Sequence, residues 1–160
     1  MLKITVVCVG KIKEKYWIDA IAEYSKRLTR YCRLDIIEVA DEKTPDDAPP
    51  AICDQIKKKE AERILKNIDD HAFVCTLEIA GKRFTSEGFA DFLDKKALSG
   101  VSHIQFVIGG SLGLHESVLK RSDQGISFSD MTFPHQMMRV ILLEQIYRGY
   151  RIINNEPYHK

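Results

Sequence analysis

Residues Ile126 to Lys160, ISFSDMTFPHQMMRVILLEQIYRGYRIINNEPYHK, decide how the rest of the chain is read. The stretch continues a short strand over Gly125-Ile126-Ser127-Phe128 and turns through Ser129-Asp130-Met131-Thr132. Phe133-Pro134 then opens a long helix, because proline suits a first helical turn, where its missing N–H would be unpaired anyway. The helix is expected to run to about Gly149, ahead of the polar tail Asn154-Asn155-Glu156-Pro157-Tyr158-His159-Lys160. At about 100° per residue its first half groups Met137, Met138, Val140 and Ile141, with Gln136 and Arg139 opposite. In the second half Leu142, Leu143, Ile146, Tyr147 and Tyr150 take the side of Gln136 and Arg139. A helix on one core has one apolar stripe. This one predicts two apolar partners: either it is a central helix buried within one domain, or it packs on its own sheet and on a second subunit.

Working outward, Ile4-Thr5-Val6-Val7-Cys8-Val9 closed by Gly10 has the pattern of a strand covered on both faces. Trp17, Ala20, Ile21, Tyr24, Leu28 and Tyr31 recur at helical spacing. Leu34 to Val39 is a second strand, followed by an acidic, proline-containing loop from Ala40 to Ala51. Next comes a charged helix marked by Ile56, Ile64, Leu65 and Ile68. Its Lys57-Lys58-Lys59 run is read as a solvated face. Phe73 to Ile79 is the third strand, with Gly81 as the turn and Ser86 as the N-cap of a helix holding Phe89, Phe92 and Leu93. Ile104 to Ile108 is the fourth strand and runs into Gly109-Gly110. A short helix from Glu116 to Arg121 leads to the fifth strand. Alternating strands and helices without a linker imply one α/β domain over residues 1–160, a mostly parallel sheet with helices on both faces.

Composition narrows the function. With 160 residues, 44% hydrophobic, 29% charged and a net charge of +1, the chain has no global basic field to coat nucleic acid. Its apolar runs are too short for a membrane span or signal segment. Cys8, Cys32, Cys53 and Cys75 lie far apart and form no CxxC, and the five histidines show no ligand spacing. No metal site is expected, and free buried thiols at Cys8 and Cys75 suit a reducing, cytoplasmic setting. Ligands in such sheets bind beyond the carboxyl ends of strands. Three ends stand out: Thr76-Leu77-Glu78-Ile79, Gly109-Gly110, and Phe128 to Phe133. The glycine pair permits either close backbone approach or a positive-φ turn. Phosphate-loop, GxGxxG and GxSxG patterns are absent.

The segments VIGGSLGL, SFSDMTFPHQMMRVILLEQIYRGYRI and PYHK, with ITVVCVGKIKEKYW and TLEIAGK, resemble the ribosomal RNA large-subunit methyltransferase H family of the SPOUT class. The resemblance implies an α/β-knot, with a C-terminal trefoil knot that spacing alone would never suggest, since knots are rare. It implies S-adenosyl-L-methionine as cofactor, contacted by Leu77, Gly109, Phe128, Ser129, Asp130, Met131, Thr132 and Phe133. It implies a homodimer that methylates N3 of a pseudouridine in helix 69 of 23S rRNA, on the assembled ribosome. Tyr158 and His159 are then expected at the partner subunit's active site, as base-stacking ring and proton acceptor. Arg139 is expected as a fixed cation for the developing anion. A SPOUT enzyme acting on tRNA and a non-catalytic ribosome-binding protein remain alternatives at this level.

Overall fold

The computed structural model describes residues 1–160 and contains ten elements. In chain order they are β1 Lys3–Val9, α1 Lys15–Leu28, β2 Arg33–Val39, α2 Pro50–Leu65, β3 Phe73–Arg83, α3 Ser86–Leu98, β4 His103–Ile108, α4 Glu116–Arg121, β5 Gln124–Ser127 and α5 His135–Ile153. The five strands form one sheet in the order β2-β1-β4-β3-β5, every neighbour parallel. Side chains alternate across a strand, and β1 divides accordingly. Ile4, Val6 and Cys8 join a core built with Leu28, Phe89, Leu93, Leu142, Leu143 and Ile146, from α1, α3 and α5. Val7 and Val9 join the opposite core with Ala61, Ile64 and Val118, from α2 and α4. Helices therefore cover both faces, which is why β1 is an unbroken apolar run.

The third strand differs from its expected bounds. It does not stop at Ile79 but continues to Arg83. Both Leu77 and Lys82 pair with Ile126, so residues 78–81 are pushed out of the ladder as a bulge. Gly81 is not a turn; a Cβ there would lie 2.5–2.7 Å from the backbone of Ile126 and Gly125, so only glycine lets β3 recross β5 at this point. The cap also moves by one residue: Thr85 Oγ1 accepts from Gly88 N at 2.9 Å, whereas Ser86 donates its hydroxyl to Gln145 Oε1 at 2.8 Å and ties α3 to α5. Pro134 is the N-cap of α5 rather than its first residue, and the helix passes through the buried Gly149 to Ile153.

Arg139 requires a correction. It does not project from a polar side; it shares the buried stripe of Leu142, Leu143 and Ile146 and is 1% exposed. Nη1 donates to Glu38 Oε2 at 2.7 Å, and Nη2 donates to the carbonyls of Val9 (2.9 Å) and Gly10 (2.6 Å). The end of β1 leaves these carbonyls without strand partners, and buried carbonyls need donors. The cation thus clamps β1 and β2 to α5. Arg139→Met would leave the two carbonyls unpaired and the half-exposed Glu38 with only the Ile12 N–H as donor. It is expected to cost about 3 kcal/mol, roughly 6–12 °C in Tm for a chain of this size, measured by thermal unfolding. An unchanged Tm would show that the clamp contributes nothing.

Candidate active site

The carboxyl ends of β3, β4 and β5 converge on one cleft, as expected of a parallel sheet. It is an open cleft of about 620 Å³, the solvent-facing space at its mouth included. Of the residues expected to meet a cofactor, Leu77, Gly109, Phe128, Ser129, Met131, Thr132 and Phe133 line it. Asp130 does not; its carboxylate turns outward to an exposed ion pair with Arg83. The remaining walls are Glu78, Ile79, Ile108, Gly110, Gly113, Leu114, Ile126, Ser127, His135 and Met138. The lining is mainly apolar side chain and bare backbone, which suits a flat heterocycle and a thioether-like chain.

Each wall has a local cause. Gly113, at φ +86°, turns the chain after β4, and its N–H donates to Gly110 O at 3.1 Å. After β5, Ser127 Oγ donates to Ser129 O (3.1 Å), and Met131 N donates to Ser129 Oγ (3.0 Å), giving the 128–133 loop its curl. The bulge in β3 brings Glu78 and Ile79 to the rim, and Thr76 Oγ1 donates to Glu78 Oε2 at 2.8 Å.

Two ionisable groups of the cleft, Glu78 and His135, were not singled out from the sequence as site residues. Glu78 stood at a flagged strand end; His135 carried no signal beyond being a lone histidine. Burial, then the nearby Arg139 guanidinium, hold the His135 imidazole below its ordinary pKa, so it is neutral at pH 7. Its Nδ1 is buried without a partner.

Tyr158 and His159 lie away from this cleft in the same subunit, and they are not frayed. Tyr158 donates to Glu144 Oε1 at 2.8 Å, packs edge-on against Tyr147, and lies under the Arg148 guanidinium at 4.6 Å. Burial and the Glu144 bond push its phenol up to about 12, so it stays protonated as a donor. His159 Nδ1 lies 3.2 Å from Arg148 Nη1 and its Nε2 lies 2.6 Å from Glu87 Oε1. Arginine can only donate and the carboxylate accepts, so a neutral ring here carries its proton on Nε2. Further back, Glu156 pairs with Arg151 and accepts from Tyr31 at 2.9 Å, and Arg151 Nη2 donates to Pro157 O at 2.9 Å. Arg139, buried on the end of β1, does not line the cleft either.

No group of histidine, cysteine, aspartate and glutamate is placed to hold a metal ion. No helix is long and apolar enough to cross a membrane.

Comparison with known proteins agrees with this geometry. Residues 2–159 match the family described as predicted SPOUT methyltransferase. A ribosomal RNA large subunit methyltransferase H from Bifidobacterium adolescentis is 63% identical over 159 residues, covering 99% of this chain and all of that protein. A putative one from Methanococcus maripaludis is 60% identical over the same length. Among solved structures, a probable methylase family protein from Haemophilus influenzae superposes with a TM-score of 0.58 at 16% identity, covering 100% of this chain and 72% of that one. A tRNA (m1G37) methyltransferase from Aquifex aeolicus gives 0.53 at 14% identity, covering 91% and 69%. At such identities these two speak for the fold alone. The parallel sheet, the cleft at its strand ends and the full-length likeness agree: the chain belongs to the SPOUT methyltransferase family, within its ribosomal RNA large subunit methyltransferase H group.

Proposed function

We propose that this methyltransferase acts on N3 of a pseudouridine in helix 69 of 23S rRNA, in the cytoplasm, with S-adenosyl-L-methionine as methyl donor and the assembled ribosome as substrate. The observation that carries the reading is the 63% identity, over the whole of its length, to a protein named for large-subunit rRNA methylation. The apolar cleft fits such a donor: Leu77, Gly109 and the 128–133 loop would hold it, with Ile108, Leu114 and Met138 excluding water. The donor supplies an electrophilic methyl on a sulfonium. The chain must then orient N3 and take up its proton.

We assign the proton to His159 and base stacking to Tyr158, both acting on the partner's cleft in a homodimer. Histidine accepts protons near neutral pH. Here its Nδ1 faces Arg148, so accepting a proton requires that contact to open as substrate enters. The dimer reading is supported by one face of α5. Met137, Val140 and Ile141 are only half-buried and stand outside both core clusters. Glu144 and Arg148, which hold the tail, continue that same face by helical spacing. Leu143 and Ile146 are buried in the subunit's own core, so charge there would report on folding rather than on association. Val140→Asp with Ile141→Asp is expected to give a folded monomer whose methyl transfer falls at least about 100-fold, because each cleft loses its partner's tail. Light scattering and turnover measure both, and a fully active dimer would overturn the assignment.

The function itself is tested by methyl transfer to purified ribosomes and to bulk tRNA, with mass spectrometry of the 23S rRNA from cells lacking the protein. Methylated ribosomes and loss of one methyl from helix 69 are expected. Transfer to tRNA instead would make this a SPOUT enzyme of different specificity, and binding to ribosomes without transfer would make it a non-catalytic ribosome-binding protein.

A further inference from the structure

The loop after β1 is rigidly built, yet neither core nor cleft uses what it displays. Gly10 N donates to Val39 O at 2.8 Å, and Arg139 Nη2 donates to Gly10 O at 2.6 Å. Ile12 N donates to Glu38 Oε2 at 3.0 Å, and the Ile12 side chain is buried. On this base stand Lys11, Lys13, Lys15 and Tyr16, all exposed. Lys15 pairs with Asp19 at 3.0 Å, whereas Lys11 and Lys13 form no ion pair. Tyr16 is 65% exposed and set edge-on against Trp17, ring centroids 5.0 Å apart. Trp17 steadies the ring without covering it.

The position of this ridge is informative. A Cβ on Gly10 would lie 3.5 Å from His135 Cε1, and His135 lines the cleft. The ridge therefore rises beside the cleft. The same point on Gly10 lies 4.0 Å from Asp41 Cβ in the loop after β2, with Asp46 and Asp47 further along that loop. Phosphate is repelled there and attracted by Lys11 and Lys13, whose charge is offset only in part by the unpaired Glu14 between them and the start of α1.

We propose that the Lys11–Tyr16 ridge is an RNA-docking surface. Lys11 and Lys13 take phosphates of the substrate strand, and Tyr16 takes an unstacked base beside the one that enters the cleft. The inference rests on the reading that the substrate is RNA. Its chemistry is general: lysine–phosphate contacts release counterions and make binding salt-dependent, and an open aromatic face stacks any unpaired base. The small net charge of the chain then suffices, because docking charge is local.

The test compares the wild type with Lys11→Gln/Lys13→Gln and with Tyr16→Ala, using ribosomes as substrate at several salt concentrations. For both variants KM for ribosomes is expected to rise about tenfold, with kcat at saturation unchanged. In the double variant the log–log salt slope should shrink by about 1.5, two phosphate contacts' worth. Affinity for S-adenosyl-L-methionine, by calorimetry, and the oligomeric state, by light scattering, should not change. Unaltered KM and salt slope in variants of an active wild type would overturn the ridge as a docking surface. Loss of the oligomer in either variant would also overturn it, by assigning the ridge to a second copy. A wild type inactive on ribosomes would instead remove the substrate reading beneath it.

Discussion

Gly109→Val is expected to abolish methyl-donor binding while the sheet stays folded. A Cβ at position 109 would lie 2.9 Å from Gly113 C, 3.0 Å from Gly113 O and 3.1 Å from Leu114 Cδ2. The first two are backbone atoms, and they are held by the Gly113–Gly110 hydrogen bond, so they cannot swing aside as a flexible side chain would. Gly109 is not among the positive-φ residues; Gly113 is. Gly110 is not either, so the pair makes no positive-φ turn: Gly113 makes it, and Gly109 is small because its own loop passes against it. Valine must push the 109–114 loop outward, and that loop is a wall of the cleft. Overpacking of this kind costs about 1–3 kcal/mol. If the whole of it falls on the bound form, affinity drops by about 5- to 150-fold, and loss of the loop's own contacts with the donor takes it further. Because Ile108 and the rest of β4 are undisturbed in the core, circular dichroism should remain native. Calorimetry with S-adenosyl-L-methionine decides: binding within twofold of the wild type would mean that the loop yields freely and that the donor does not approach Gly109.

Deleting Tyr158 to Lys160 is expected to lower methyl transfer by about 10²–10⁴-fold, the usual worth of a positioned acid or base, with donor binding nearly intact. The tail makes one hydrogen bond to Glu144, stacks below Arg148 and reaches Glu87, all at the surface of α3 and α5. Its loss should cost only about 1–2 kcal/mol of stability, so the truncated protein will fold. None of its atoms lines the cleft of its own subunit, which is why donor binding is spared. Point variants separate the roles. Tyr158→Phe keeps the ring for stacking but drops the Glu144 bond, and should retain most activity. His159→Gln keeps hydrogen bonding but cannot take up a proton at neutral pH, and should lose nearly as much as the truncation. Normal turnover by the truncated enzyme, assayed on ribosomes, would show that the tail lies outside the catalytic apparatus.

Much of this was legible residue by residue. Continuous apolar runs such as Ile4 to Val9 marked strands buried on both faces, and alternation of strand and helix marked the parallel α/β class. Gly109-Gly110 and the Phe128–Phe133 segment pointed to the cleft because glycine and short polar turns punctuate strand ends in the linear sequence. Local signals misled where a distant partner overrode them. Ile79-Ala80-Gly81 has the composition of a turn, but pairing with β5 captures Lys82 and Arg83 and converts it into a bulge. Arg139 has the chemistry of a surface residue, but the carbonyls of Val9 and Gly10, 129 and more positions away, draw it into the interior.

The amino-acid sequence by itself determined the elements, their approximate ends, the three strand termini that could bind a ligand and, through resemblance, the methyltransferase family. These are properties of neighbouring residues, set by steric preference and hydrophobic period. Only the tertiary structure decided the strand order β2-β1-β4-β3-β5, the entry of His135 into the cleft, the burial of Arg139 and the docking of the tail on α3 and α5 away from its own cleft. Those depend on contacts between residues far apart in the chain, where the same polar side chain is stable in water or in the core according to whether an unpaired carbonyl or carboxylate happens to face it.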